Sequence, residues 1–277
     1  MDRRQAISAM LAAAAAGGSL TAGAQTHSEH GAEHGAHGAH GADDHSKYHD
    51  IKHEKLVMLA YPGMTALDML GPHHMFSCMM GAKVIIAGQT RDVVTADTGL
   101  KVVPDVDFAS CPRDIDLLLV PGGLVGTTAA MKDSRLVDFV AELGQRSKYV
   151  TSVCTGSLIL GAAGLLKGYK ATSHWISLHM LKEFGATPVK ERVVFDRNRI
   201  TGAGVTAGMD MGLAVVNMLR GEEYTKMVAL LTEYDPVPPV KAGSPETAGP
   251  KVTNMLRDMY KGWIADTEAV VKRSSHG

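Results

Sequence analysis

Three short stretches of this chain set a reactive side chain or bare backbone where a strand ends. In Tyr149-Val-Thr-Ser-Val-Cys154-Thr-Gly-Ser, a β-branched run stops at the cysteine. Leu158, Ile159, Ala162, Leu165 and Leu166 then recur at helical spacing. Cys154 therefore belongs at a strand-to-helix turn, with Gly156 allowing a tight reversal. Such an elbow lifts a side chain off the sheet and aims the free N–H groups of a helix start at it. The thiol is then expected to ionise more readily than a free cysteine. A small cysteine packing a helix start would leave the same trace.

The second stretch is Thr65-Ala-Leu-Asp68-Met-Leu-Gly-Pro72, where a carboxyl interrupts an apolar helix start. Asp68 either caps that helix or faces the cysteine, its pKa raised by apolar surroundings so that it can donate a proton. The third is Pro121-Gly122-Gly123. Residues without side chains let backbone N–H groups approach a ligand, so Gly122, Gly123 and the N–H of Thr155 are candidates for an oxyanion hole. A plain turn is the competing reading. The Thr155 hydroxyl could touch substrate as well. His174, in Ala171-Thr-Ser-His-Trp175, follows the next short strand and either orients Cys154 or serves as a structural hydrogen-bonder. Thr201-Gly-Ala-Gly-Val-Thr-Ala-Gly208 imitates a nucleotide loop but lacks its early position and following acidic residue. It reads as a glycine loop entering a helix, with Thr206 as cap.

The elements that must position these groups alternate. Strands are expected at Leu56–Ala60, Lys83–Ala87, Asp116–Val120 and Tyr149–Val153, with short strands in Val93–Val103 and a late hairpin at Val193–Asp196 and Ile200–Thr201. Helices are expected at Ala66–Met80, Ser134–Arg146, Trp175–Phe184, Ala207–Leu219 and Glu222–Glu233. A Pro- and Gly-rich loop at Pro236–Pro250 precedes a closing amphipathic helix over Val252–Val271. Alternation of this kind implies an α/β fold with a mostly parallel sheet between helix layers, whose ligands bind beyond the carboxyl ends of the strands.

The 277 residues suffice for a sizeable core, and 45% hydrophobic with 21% charged residues is ordinary for a globular chain. Lys and Arg total 28 against 29 for Asp and Glu. That balance offers no basic field for nucleic acid, and 5% aromatic residues provide no base-stacking surface. The cysteines are Cys78, Cys111 and Cys154, an odd count that leaves at least one free thiol.

Residues 1–24 read as an export signal: Arg3-Arg4, an apolar run from Ala6 to Leu20, and the small-residue site Ala22-Gly-Ala24. The paired arginines favour the twin-arginine route to the periplasm, with ordinary secretion as competitor. The run is too short and Ala-rich for a membrane anchor. Residues 25–54 form a His-, Gly- and Ala-rich tract that builds no core and is expected to be disordered. His34, His37 and His40 repeat every three residues there and could capture Zn, Cu or Ni. The globular domain is expected over 55–277, ending in a C-terminal helical extension.

These stretches together resemble the DJ-1/PfpI superfamily, and within it the bacterial isonitrile hydratases. The resemblance rests on Leu67–Pro72, Val120–Gly123, Tyr149–Leu166, Ala171–Trp175, Glu191–Val194 and Ala242–Pro245, and spans Lys55 to Pro250. It implies a flavodoxin-like three-layer sandwich, of the class I glutamine amidotransferase type, in a homodimer. By motif position, its catalytic Asp, Cys and Thr fall on Asp68, Cys154 and Thr155. The implied reaction is hydration of a small isonitrile to an N-substituted formamide, with no metal or organic cofactor in the active site. A similar cysteine segment occurs in sensory domains fused to helix-turn-helix modules, but only about 30 residues follow Pro245, too few for such a module. Two other readings remain open: a DJ-1-like glyoxalase or thiol hydrolase using Cys154 with His174, and a non-catalytic periplasmic binder whose working part is the histidine tract.

Overall fold

The computed structural model describes residues 51–274. The export signal at 1–24, and His34, His37 and His40, lie outside the described residues.

Strand β1 (Lys55–Leu59) leads into helix α1 (Ala66–Ser77) and strand β2 (Lys83–Gly88). Short strands β3 (Val94–Thr95), β4 (Lys101–Val102) and β5 (Val106–Asp107) precede β6 (Leu117–Val120). Helices α2 (Val125–Lys132) and α3 (Ser134–Arg146) then lead to β7 (Tyr149–Val153) and helix α4 (Gly156–Ala162). After them come β8 (Lys170–Ala171), a 3-10 segment at Leu178–Phe184, β9 (Thr187–Pro188), β10 (Val193–Asp196) and β11 (Arg199–Gly202). Helices α5 (Ala207–Arg220), α6 (Glu222–Leu231), α7 (Pro245–Met259) and α8 (Lys261–Ser274) follow.

The main sheet runs β10-β11-β7-β6-β1-β2-β5 and is parallel except for the β10–β11 pair. Strands covered on both faces read as unbroken apolar runs, and here Leu56–Leu59 and Leu117–Val120 are all fully buried. Since β1, β6 and β7 are neighbours in the middle of the sheet, the three stretches that could do chemistry emerge side by side beyond their carboxyl ends. Helix α1 is held close to α5 through small residues: a Cβ on Gly71 would meet the Met209 side chain at 2.9 Å, and one on Gly212 would meet Met75 at 3.0 Å.

Several boundaries depart from expectation. Helix α1 stops at Ser77, with Cys78 as its C-cap, short of Met80. The expected Trp175–Phe184 helix is a 3-10 segment confined to Leu178–Phe184. Helix α7 already starts at Pro245, inside the expected loop, because Ser244 and Thr247 form a reciprocal cap and Pro245 suits a first helical turn. The expected closing helix is two, α7 and α8, broken at Tyr260. Thr206 does not cap α5 with its side chain; its hydroxyl accepts from Arg192 instead, at 3.3 Å. Helix α2 is not expected from its own residues, since Thr127 and Thr128 are poor helix formers. It is steadied from outside, where Thr128 Oγ1 contacts Thr267 Oγ1 at 2.8 Å and accepts from the Trp263 indole N–H at 3.0 Å.

Candidate active site

Cys154 follows β7 directly and has φ +58°, the left-handed backbone that non-glycine residues rarely adopt. Strain of this kind costs about 1–3 kcal/mol and persists only where surrounding structure imposes it. The imposing contacts are visible. The Cys154 N–H donates to the Gly202 carbonyl at 3.1 Å, continuing the β7–β11 ladder. The Cys154 carbonyl accepts from the hydroxyls of Ser173 at 3.1 Å and Ser157 at 3.3 Å. Gly156 must be glycine, because a Cβ there would lie 2.2 Å from the Val120 carbonyl oxygen.

Asp68 is fully buried in the first turn of α1. It does not cap the helix. That role falls to Asp97, whose carboxylate accepts from the Thr65 hydroxyl at 2.7 Å and the Ala66 N–H at 3.4 Å. Asp68 Oδ2 accepts from the Gly122 N–H at 2.9 Å, while buried Oδ1 has no conventional hydrogen-bond partner. Burial pushes the Asp68 carboxyl up to about 7, and the charge of Asp97 adds to the rise. Its carboxyl and the Cys154 thiol interact directly, each altering the other's hold on a proton.

The expectation of an easily ionised thiol is overturned. Burial first, and then the Asp68 charge, hold the Cys154 thiol well above the ordinary cysteine range. The Thr155 N–H works the other way but is outweighed. Helix α4 spans only seven residues and cannot offset removal of the thiolate from water. Cys154 therefore rests as a thiol and must lose its proton as it attacks.

Thr155 is also fully buried. Its Oγ1 accepts from the Gly123 N–H at 3.0 Å and lies 2.7 Å from Thr127 Oγ1. Thr127 Oγ1 is 3.2 Å from the Tyr61 hydroxyl, which donates to the Pro121 carbonyl at 2.8 Å. The amides of Gly122 and Gly123 are thus engaged by side chains of the site rather than turned to an oxyanion. A Cβ on Gly122 would sit 2.5 Å from the Thr155 nitrogen and 2.9 Å from Asp68 Oδ2.

His174 stands apart. Its Nδ1 accepts from the Ile176 N–H at 3.5 Å, and no hydrogen bond joins the ring to Cys154 among the described residues. Burial lowers its pKa to about 4, so the imidazole is neutral. Its neighbour Ser173 is the residue that supports the elbow. Cys78 donates to the His74 carbonyl at 3.3 Å, and burial raises the Cys111 thiol to about 11. Among the described residues, no three His, Cys, Asp or Glu side chains are grouped to hold a metal, and no helix is long and apolar enough to cross a membrane.

A carboxyl, a thiol on a strained elbow and a threonine beside it, all at adjacent strand ends, define a compact reaction centre. The DJ-1/PfpI family model matches residues 54–218, well over half of the chain. The chain belongs to the DJ-1/PfpI family. The family's flavodoxin-like fold is the one described above. The isonitrile hydratase of Pseudomonas putida is 42% identical over 199 residues, which cover 72% of this chain and 86% of that enzyme. A crystal structure of a ThiJ/PfpI family protein from Pseudomonas syringae superposes with a TM-score of 0.79 at 51% identity, covering 80% of this chain and 91% of the other. A more distant relative, a deglycase of Thermococcus kodakarensis, is 30% identical over 148 residues, 53% of this chain and 88% of that enzyme. Relatives in this family thus include enzymes of more than one activity.

Tyr61, Asp97, Thr127 and Ser173 belong to the site and were not singled out from sequence. A polar residue closing or following an apolar run was the available signal for Tyr61 and Thr127, whereas Asp97 and Ser173 lie in polar loops that carry no such mark.

Proposed function

We propose that this protein hydrates an isonitrile, R–N≡C, to an N-substituted formamide, with Cys154 as nucleophile and Asp68 as proton carrier. The observation that carries this reading is the fully buried Asp68 carboxyl in direct interaction with the Cys154 thiol. An isonitrile carbon must gain both sulfur and a proton, and the Asp68–Cys154 pair holds one transferable proton next to the nucleophile. As the sulfur attacks carbon, the Asp68 carboxylate takes the thiol proton and delivers it to that carbon, giving the thioimidate Cys154–S–CH=N–R. Water then adds to the C=N bond, hydroxyl to carbon and proton to nitrogen. Breaking the C–S bond releases R–NH–CHO, and the sulfur regains the proton of the hydroxyl. Every proton handled on this path belongs to Asp68, Cys154 or the substrate water.

The 42% identity to an isonitrile hydratase supports the same reading. A cysteine–histidine hydrolase is less well supported, since His174 Nδ1 accepts from Ile176, no hydrogen bond joins the ring to Cys154 among the described residues, and burial makes the imidazole a weak base. We propose further that residues 1–24 direct export to the periplasm, and that His34, His37 and His40 bind Zn, Cu or Ni outside the active site. The support for both is the sequence pattern. The deciding experiment is incubation of the purified protein with a small alkyl isonitrile, with formamide followed by chromatography. Wild-type turnover that vanishes in Cys154→Ala supports the reading, and no formamide from wild type refutes it.

A further inference from the structure

Four oxygen atoms run in line behind the reaction centre: Thr155 Oγ1, Thr127 Oγ1, Tyr61 Oη and the Pro121 carbonyl oxygen, with successive separations of 2.7, 3.2 and 2.8 Å. A hydroxyl has one proton to give and two lone pairs to receive with, whereas a carbonyl can only receive. The carbonyl end therefore sets the direction of the whole line. Tyr61 gives its single proton to Pro121, so its contact with Thr127 is one in which Thr127 donates. Thr127 has then used its proton, so its contact with Thr155 is one in which Thr155 donates. The Gly123 N–H occupies one lone pair of Thr155 Oγ1, and the other acceptor direction is on the side of Cys154, whose thiol lies within hydrogen-bond reach of the hydroxyl. Both threonines are fully buried and Tyr61 nearly so, so bulk water offers no competing partners. Burial also holds the Tyr61 phenol well above its usual range, so it keeps its proton.

We infer that Tyr61 and Thr127 are positioning residues that hold the Thr155 hydroxyl with its proton turned away from the reaction centre, so that Thr155 receives the hydrolytic water as an acceptor. The inference rests on the hydratase reading above. One O–H of the water lies on Thr155 Oγ1, and the oxygen faces the thioimidate carbon. As the C–O bond forms, the other water proton passes to the Asp68 carboxylate and from there to the substrate nitrogen. Thr155 takes no proton itself, because a proton pushed along the line would have to end on the Pro121 carbonyl. The same direction prevents Thr155 from donating to the isonitrile in the first step. Losing the line therefore slows the water step selectively.

The test compares wild type with Thr127→Val, Thr127→Ser and Tyr61→Phe in steady-state turnover of a small alkyl isonitrile. Quenched samples are weighed as intact protein by mass spectrometry. Thr127→Val keeps the shape but removes the hydroxyl. It should lower kcat by about tenfold, the scale of one lost hydrogen bond, with KM falling alongside it and kcat/KM held, because only the second step is slowed. It should also accumulate a Cys154 adduct heavier by one isonitrile, while Thr127→Ser restores wild-type kcat and Tyr61→Phe behaves like Thr127→Val. Unchanged kcat in both hydroxyl-deletion variants, or a fall without adduct, overturns the inference. If a variant does not fold, or wild type yields no formamide and the hydratase reading itself falls, neutron diffraction from deuterium-exchanged wild-type crystals decides. A deuteron on Thr155 directed at Thr127 upholds the arrangement, and one directed at the reaction centre refutes it.

Discussion

Asp97 caps the helix that carries Asp68. Its Oδ2 accepts from the Thr65 hydroxyl at 2.7 Å and its Oδ1 from the Ala66 N–H at 3.4 Å, although it lies on the β3–β4 connection rather than on α1. Polar groups at a helix start are ordinarily satisfied by a side chain at or next to the N-cap. Relieved of that duty, Asp68 turns inward to Gly122 and the thiol, and the nearby Asp97 charge favours its protonated form.

Cys154→Ala should abolish formamide production while leaving the thermal transition within a few degrees of wild type, because the change is small and lies at a turn. Cys78→Ala and Cys111→Ala should retain turnover, since the Cys78 thiol donates to the His74 carbonyl and the Cys111 thiol to the Pro112 carbonyl. Equal losses in all three variants would assign the cysteines to structure.

The pH dependence follows from Asp68. With both Asp68 and Cys154 protonated, the pair has no base to receive the thiol proton. Turnover should therefore fall as pH drops through about 7, the position of the Asp68 carboxyl, with any alkaline limb above the ordinary thiol range. Asp68→Asn should lose at least ~100-fold in turnover together with that acid limb. His174→Asn should lose less, and the reverse order would hand the proton to the histidine.

Stability should move oppositely. A carboxyl raised from 3.8 to about 7 burdens the folded state progressively as pH rises between those values, and fully above them, by at most about 4 kcal/mol. Asp68→Asn should thus raise Tm at pH 8 and change it little near pH 4, as differential scanning calorimetry would read. An unchanged Tm at pH 8 would contradict a buried, costly carboxylate.

Gly122→Ala tests how closely the site is built. The added methyl would fall 2.5 Å from the Thr155 nitrogen, 2.7 Å from Thr155 Oγ1 and 2.9 Å from Asp68 Oδ2, so these groups must shift. Displacement on that scale should cost about 100-fold in kcat with the protein still folded. Gly243→Ala, where a Cβ meets nothing within 4 Å, is the matched control.

Much of this was legible in the chain. Leu56–Leu59 and Leu117–Val120 announced strands covered on both faces, and the break from β-branched to helical spacing at Cys154 announced the elbow. What escaped was set by distant partners. Helix α2 is steadied by Trp263 and Thr267, far along the chain, so its local sequence gave no sign of it. The protonation of Cys154 escaped too, since a turn position speaks of helix dipoles but not of the depth at which the sulfur ends up. Asp68 read as either a cap or an acid, and only the placement of Asp97 separates the two.

Replacing Arg3 and Arg4 with lysine together should trap the precursor in the cytoplasm, as fractionation would detect, because the twin-arginine route reads that pair. Undiminished export of the double variant would assign the protein to ordinary secretion.

Consecutive amides of one turn, Gly122 and Gly123, hold Asp68 Oδ2 and Thr155 Oγ1 respectively. The acid and the threonine are therefore gauged from a single datum rather than from two independent strands. The distance from the acid to the threonine is thereby tied to the span of two successive peptide units. The arrangement resembles a workshop jig, in which tolerances are kept by referring every part to one edge.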